Sequence, residues 1–203
     1  MIRRLKNLTR LAPIVAPMMI VSGCVSLGAE PPESLLNLTP QTSAPAGSVT
    51  SGTRDEALAV HEPEVPAKLD VLRVPVQVSS TEIAYLKDAM WVEKPARLFR
   101  RVLAETIRVQ SGRLVLDGDD PGLAAQSRLR GVLREFGFDA ASSSVIVQFD
   151  AIRRTPEGEL ETRRFEAVES GVSANAASVG AALNRAANEL AGEVADWIGE
   201  DVS

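Results

Sequence analysis

Cys24 is the only thiol in the chain, and its neighbours specify what that thiol does. Val21-Ser22-Gly23 stand directly before it. An apolar run from Leu11 to Val21 precedes them, and Arg3, Arg4, Lys6 and Arg10 lie at the start with no acidic residue among them. A basic stretch, a short apolar stretch and small residues at the cut are expected to form a secretory signal peptide over residues 1–23. A cysteine just behind that cut gives the segment the form of a lipobox. Its chemistry is thioether formation with a diacylglycerol, followed by N-acylation of the new amino terminus. No further cofactor is expected. Pro13 and Pro17 interrupt the apolar run, which is also shorter than the roughly 20 residues a membrane-crossing helix needs. An inert buried thiol is the plainer use of a lone cysteine, but this one stands where acylation requires it. Val21 is a departure, since leucine is commoner there, and Ile2 and Leu5-Lys6 flank Arg3-Arg4 poorly for a twin-arginine signal. At about 0.8 kcal/mol per buried methylene, two or three acyl chains hold a protein at a bilayer essentially permanently.

Other reactive groups are sparse. His61 is the only histidine, so a histidine-based triad or a multi-histidine metal site is excluded; it is expected to be solvent-exposed. Asp117-Gly118-Asp119-Asp120-Pro121-Gly122 gathers three carboxylates, the donors a hard cation prefers. It lacks the calcium-loop spacing and the distal glutamate, and Asp, Gly and Pro are turn residues. A plain loop is the expectation there, and no metal and no catalytic residue is assigned. The chain is expected not to be an enzyme.

Charge narrows the partners. The chain carries 22 Lys+Arg and 27 Asp+Glu. Loss of the leader, with its four basic residues, leaves 18 against 27 and a net charge of −9. An acidic chain with 4% aromatic residues lacks the basic footprint that nucleic acid demands. The mature length suits one domain, 35–200, whose stability must come from its core because no cysteine pair remains.

The elements that would position these residues follow from periodicity. Residues 24–34, with Pro31-Pro32, read as an acylated tether, reaching about 17 Å on average for ten residues of flexible coil. Leu35-Leu36-Asn37-Leu38 is a candidate first strand. Residues 39–54 are rich in Pro, Ser, Thr, Gly and Ala and are expected to be a mobile loop. Ala57–Val60 is a second, weak strand candidate, and Glu62–Pro66 is extended. Leu72, Val74, Val76 and Val78 alternate with Arg73, Pro75 and Gln77, as in a half-buried strand. Pro75 falls on the outward phase and places that strand near an edge or at a bulge. Pro95 opens a helix with Leu98, Phe99, Val102, Leu103 and Ile107 on one face and Arg97, Arg100, Arg101, Glu105 and Arg108 on the other. Strands are expected at 127–138, 145–154 and 160–168, joined by turns at 140–144 and 155–158 into an antiparallel meander. A last helix runs from about Asn175 to Ile198, capped by Ser173 or Asn175. The fold class is therefore α/β of the α+β kind: a two-layer sandwich, a mostly antiparallel sheet with both helices on one face.

Candidate partner contacts come from residues whose bland role is packing or solvation. The arginines at Arg97 and Arg101 could meet an acidic partner or lipid headgroups, although a solvated helix face is the simpler reading. Trp91, just before the helix, could be an exposed interface anchor, while Trp197 lies on the apolar stripe of the last helix. Phe136 and Phe138 share one strand phase while Leu129 and Leu133 occupy the other. Either a bulge separates the pairs, or apolar groups line both faces and leave a greasy patch for a partner.

The ordered set of these segments is similar to a known family. The lipobox, Leu69-Asp70 through Val78, the run Ser80-Thr81-Glu82-Ile83-Ala84-Tyr85-Leu86-Lys87-Asp88-Ala89-Met90-Trp91, the helix after Pro95, Leu129-Arg130-Gly131-Val132-Leu133-Arg134-Glu135-Phe136, and Arg163-Arg164-Phe165-Glu166 before an Ala-rich helix resemble the ABC-type transport auxiliary lipoproteins, the Pqi-type among them. The resemblance covers roughly Leu35 to Ile198. It implies a non-enzymatic periplasmic domain anchored to the outer membrane through Cys24, working with an MCE-domain protein and its ABC permease and ATPase in lipid transport. It brings no catalytic residues. Val25, rather than Asp, behind the cysteine fits the outer-membrane sorting known for enteric lipoproteins. Two other roles stay open: a lipid-binding module that shields an acyl chain between sheet and helices, and an envelope scaffold or regulator of cell-wall enzymes.

Overall fold

Three long strands take their shape from alternation, broken once in the first of them. The computed structural model describes residues 34–116, 125–154 and 158–200, all within one contact unit, Pro31–Ser203. The signal peptide, Cys24, nearly all of the tether, the Asp117–Asp120 cluster and Thr155-Pro156-Glu157 lie outside the described residues. In chain order the elements are β1 (Leu58–Val60), a 3-10 turn (Ala67–Leu69), β2 (Arg73–Ser79), β3 (Glu82–Met90), α1 (Pro95–Ser111), β4 (Val115–Leu116), β5 (Ser127–Asp139), β6 (Ser144–Arg154), β7 (Leu160–Ser170) and α2 (Ala176–Gly199).

β5, β6 and β7 form the expected antiparallel meander, paired from Arg128↔Arg154 to Asp139↔Ser144 and from Ser144↔Ser170 to Arg154↔Leu160. The β5–β6 turn is held by Asp139, whose Oδ1 accepts from Ser142 N (2.8 Å) and Ser142 Oγ (2.9 Å). Those bonds hold its carboxyl below the usual range. Parallel partners fill the opposite side of β5: β1 beside Ser127–Leu129 and β2 beside Phe138-Asp139. β4 extends the sheet beyond β1, and β3 beyond β2 in antiparallel pairing. The sheet is thus mixed, with its long pairings antiparallel and its short ones parallel.

The helices cover one face. Pro95 starts α1 because a first-turn residue needs no N–H donor, and Gly112 ends it at φ 64°, its N–H donated to Arg108 O. Asn175 caps α2 by accepting from Ser178 N at 2.9 Å. Phe99 of α1 packs on Phe136 of β5 and edge-on against Phe149 of β6, while Trp197 of α2 packs on Phe165 of β7. Phe149 and Phe165 are register partners, so both helices lie on the same side. Alanines 182, 186, 187, 191 and 195 of α2 are buried and let the layers approach closely.

Three local expectations change. Val74 is buried and Val76 half-buried, but Leu72, which precedes β2, and Val78, which lies past the last pair with β5, are exposed at 38% and 40%. Pro75 is buried, packed against Gly137, and β2 has neighbours on both sides; the β2–β3 register slips between Arg73 and Pro75, so the bulge alternative holds. Leu35–Leu38 forms no strand: Leu36 makes a single bridge to Trp91, with Leu36 N on Met90 O (2.7 Å) and Val92 N on Leu36 O (2.9 Å).

The segment 39–54 has no helix or strand, yet its first part is strapped across both helices. Thr39 N donates to Asn184 Oδ1 (2.8 Å) and Gln41 N to Asn188 Oδ1 (2.6 Å). Asn188 Nδ2 returns a bond to Thr39 O (2.9 Å), and Ala44 N reaches Glu105 Oε1 of α1 (2.8 Å).

Candidate functional site: the outer face of the sheet

Helices close one side of the sheet, so chemistry available to a partner concentrates on the other. Residues of that face are fixed by phase: Arg128, Arg130 and Val132 on β5, Gln148, Asp150 and Ile152 on β6, Thr162, Arg164 and Glu166 on β7. A bulge then decides β5. Leu133 opposes Phe149 and Glu135 opposes Gln148, which leaves Arg134 as the extra residue. One extra residue lets Leu133 and Phe136 both face the helices while Arg134 and Glu135 turn outward.

Arg134 lands beside Asp150. Its Nε bonds Asp150 Oδ2, and Arg164 closes from the other flank, Nε on Oδ1 at 2.5 Å and Nη2 on Oδ2 at 2.8 Å. These two guanidinium groups hold the Asp150 carboxyl far below the ordinary carboxylate range, Arg164 foremost and against some desolvation. A shallow hollow of about 420 Å³ surrounds this triad, floored by the side chains of Val132 and Ile152. A second, of about 390 Å³, adjoins it through Val132 and Arg134 and ends at Val65, Pro66 and the Lys68–Glu135 ion pair, Nζ–Oε1 2.6 Å. A third, of about 150 Å³, continues past Ile152 to Arg128, Arg130, Arg154 and Leu160. Together they form one open groove with an aliphatic floor and basic rims.

The backbone under this groove is close. A Cβ on Gly131 would press on Asp150 O and stand 2.5 Å from Phe149 Cε2. Glycine is needed there so that β5 can lie against β6 and its buried ring.

Most sequence-selected contacts lie elsewhere. Trp91 and Phe136 are fully buried and Phe138 is 4% exposed, so a partner cannot touch them. Trp91 packs on Phe136 with ring centroids 5.5 Å apart, and its indole N–H has no hydrogen-bond partner among the described residues. The Arg134 bulge removes the two-sided greasy patch that Phe136 and Phe138 raised. Arg97 and Arg101 are exposed at 58% and 46% but already engaged: Arg101 Nη2 lies 2.6 Å from Glu93 Oε1, and Arg97 Nε 3.5 Å from Glu62 Oε2. His61 is half-buried, its Nε2 shut off from solvent, contrary to the exposed role expected for it. Among the described residues no three His, Cys, Asp or Glu gather as metal ligands, and no helix is long and apolar enough to cross a membrane.

Arg153 has a role outside the sequence expectations. It occupies an inward position of β6, 6% exposed, donates from Nη1 to Trp197 O (2.6 Å) and from Nε to Glu161 (2.8 Å), and lies 4.5 Å from the Trp197 ring centroid. It anchors the carboxyl end of α2, where a cation complements the helix dipole. The inward phase shared with Phe149 and Ala151 is the signal that singles it out.

Comparison with known proteins adds the family. Residues 37–195 match the family model described as the ABC-type transport auxiliary lipoprotein component. No curated protein matches by sequence. Among solved structures, a Xanthomonas campestris protein of the family model DUF330 superposes with a TM-score of 0.67 at 17% identity, covering 83% of this chain and 98% of that one. A second crystal structure, of an uncharacterized protein, gives 0.60 at 17% identity, with 84% and 100% covered. At these identities the superpositions establish the fold alone.

Proposed function

The chain belongs to the ABC-type transport auxiliary lipoprotein component family, and from that premise we propose that it is a non-enzymatic lipoprotein of an MCE-type lipid transport system. In this reading Cys24 carries diacylglycerol and an N-acyl chain and fixes the protein to the periplasmic face of the outer membrane. The body then grips an MCE-domain protein, which links it to the ABC permease and ATPase.

The observation that carries the reading is family membership over most of the chain, on a body with one sheet face left to solvent and grooved. Reach supports the need for a partner. A tether of ten residues extends about 17 Å on average, and the thirteen-residue β5 adds about 43 Å at 3.3–3.4 Å per residue. Close packing of the alanine-rich α2 against the sheet argues against an acyl chain held between the layers.

Two measurements test it. Metabolic labelling with palmitate and membrane fractionation of wild type and Cys24→Ser check the anchor: wild type is labelled and sediments with outer membrane, the variant is unlabelled and soluble. Co-purification with the MCE protein encoded nearby checks the partner, with Val132→Glu plus Ile152→Glu in the groove expected to break it. An unlabelled, soluble wild-type protein sinks the anchor, and a wild-type protein that retains no MCE protein sinks the role.

A further inference from the structure

Arg128 of β5 and Arg154 of β6 are register partners on the outer face. Directly opposed side chains have Cβ atoms about 5 Å apart, and like charges so placed destabilise a sheet. Arg130 follows on the same face, opposite Ile152, and Leu160 lies on the far side of Arg154. These five side chains line one concavity of about 150 Å³.

The rest of the face treats its cations differently. Arg134 and Arg164 share Asp150, and Lys68 is met by Glu135. Among the described residues no carboxylate forms an ion pair with Arg128, Arg130 or Arg154. This is a chain with 27 acidic residues against 22 basic ones, so three guanidinium groups on one small surface with no ion pair among the described residues are a local concentration of positive charge.

We infer that this end of the sheet is a binding site for the phosphate of an anionic amphiphile. Guanidinium groups bind phosphate oxygens through paired, charge-assisted hydrogen bonds, and a phosphate among three of them removes the cross-strand repulsion. Ile152 and Leu160, exposed at 39% and 69%, flank the cations and offer the first methylenes of an acyl chain an apolar surface. A bare anion has no use for them. Extended single-stranded nucleic acid calls for a longer basic track with aromatic stacking platforms, which this concavity lacks. The inference rests on the charges themselves and does not depend on the MCE partnership.

The test uses the full chain in non-ionic detergent micelles. Micelles are doped with phosphatidylglycerol or, at equal mole fraction, phosphatidylcholine, or inorganic phosphate is added, and the thermal midpoint is followed. Phosphatidylglycerol is expected to raise the midpoint saturably, phosphatidylcholine to leave it unchanged, and inorganic phosphate to bind at least about tenfold more weakly. Arg128→Gln plus Arg154→Gln is expected to weaken phosphatidylglycerol binding by about tenfold or more and, without lipid at low salt, to raise the midpoint by relieving repulsion. Lys87→Gln plus Arg100→Gln, with equal loss of charge, should bind as wild type does, and Leu160→Ser should erase the preference for lipid over inorganic phosphate. An equal phosphatidylglycerol response in both double variants overturns the site. Inorganic phosphate binding as tightly as the lipid overturns the amphiphile.

Discussion

Asp150 and Arg164 face each other in register across β6 and β7, and the guanidinium closes on both carboxylate oxygens while Arg134 arrives from the bulge on the other side. The carboxyl is held far below its ordinary range in the folded chain. An unfolded chain takes up a proton there near pH 4, so the stabilisation is complete above that pH and is lost as pH falls toward the folded value. Asp150→Asn should flatten the acid limb of a stability–pH curve below about pH 4. At neutral pH it should cost about 1–2 kcal/mol by leaving two arginines unmatched. Urea unfolding from pH 2 to 7 checks both.

Deleting Arg134 would straighten β5 into a regular strand that keeps Leu133, Phe136 and Phe138 on the helix side. Such a chain should still unfold cooperatively by circular dichroism, because the pairs on either side of the bulge are already consecutive and no side chain changes face. Arg134→Gln keeps the residue count and should fold normally.

Gly131→Ala should destabilise by about 1–3 kcal/mol through overpacking. The new Cβ has only the Asp150 carbonyl and the Phe149 ring to move, and both are fixed by the sheet and the core. Equilibrium denaturation measures the loss.

Arg153→Met should cost about 1–3 kcal/mol, because it removes charge-assisted bonds to the Trp197 carbonyl and to the exposed Glu161. It releases Trp197 O, so faster amide exchange in the last turn of α2 should accompany the loss.

Asn188→Ala removes two of the three bonds that tie Thr39 and Gln41 to α2 and leaves Thr39 N on Asn184 Oδ1. The global cost should be about 1–2 kcal/mol, with much faster proteolysis within residues 39–54.

Periodicity made a good part of this fold legible before any coordinates. The three meander strands, the buried faces of both helices, the Pro95 start and the Asn175 cap all follow from neighbours close in sequence. β3 carries no clear strand pattern because Ile83 and Tyr85 lie on an edge strand and Asp88, at φ 55°, breaks the alternation. Parallel pairing of β1 and β2 with β5 depends on distant partners that no local pattern records. The groove failed for the same reason. Arg128, Arg130 and Arg134 are visibly out of phase with Leu129 and Leu133, but only register shows that Arg134 meets Asp150 while Arg128 meets Arg154.

The strap at the start of the described chain has a mechanical consequence. Tension entering at Ser34 reaches the body first at Leu36, whose two backbone bonds grip the end of β3 and whose side chain fills the notch left by Gly180. The pull then passes to Asn184 and Asn188 on a single helix. A tug from that direction is therefore borne by the rim of the domain, and the grooved face on the opposite side of the sheet keeps its shape under load.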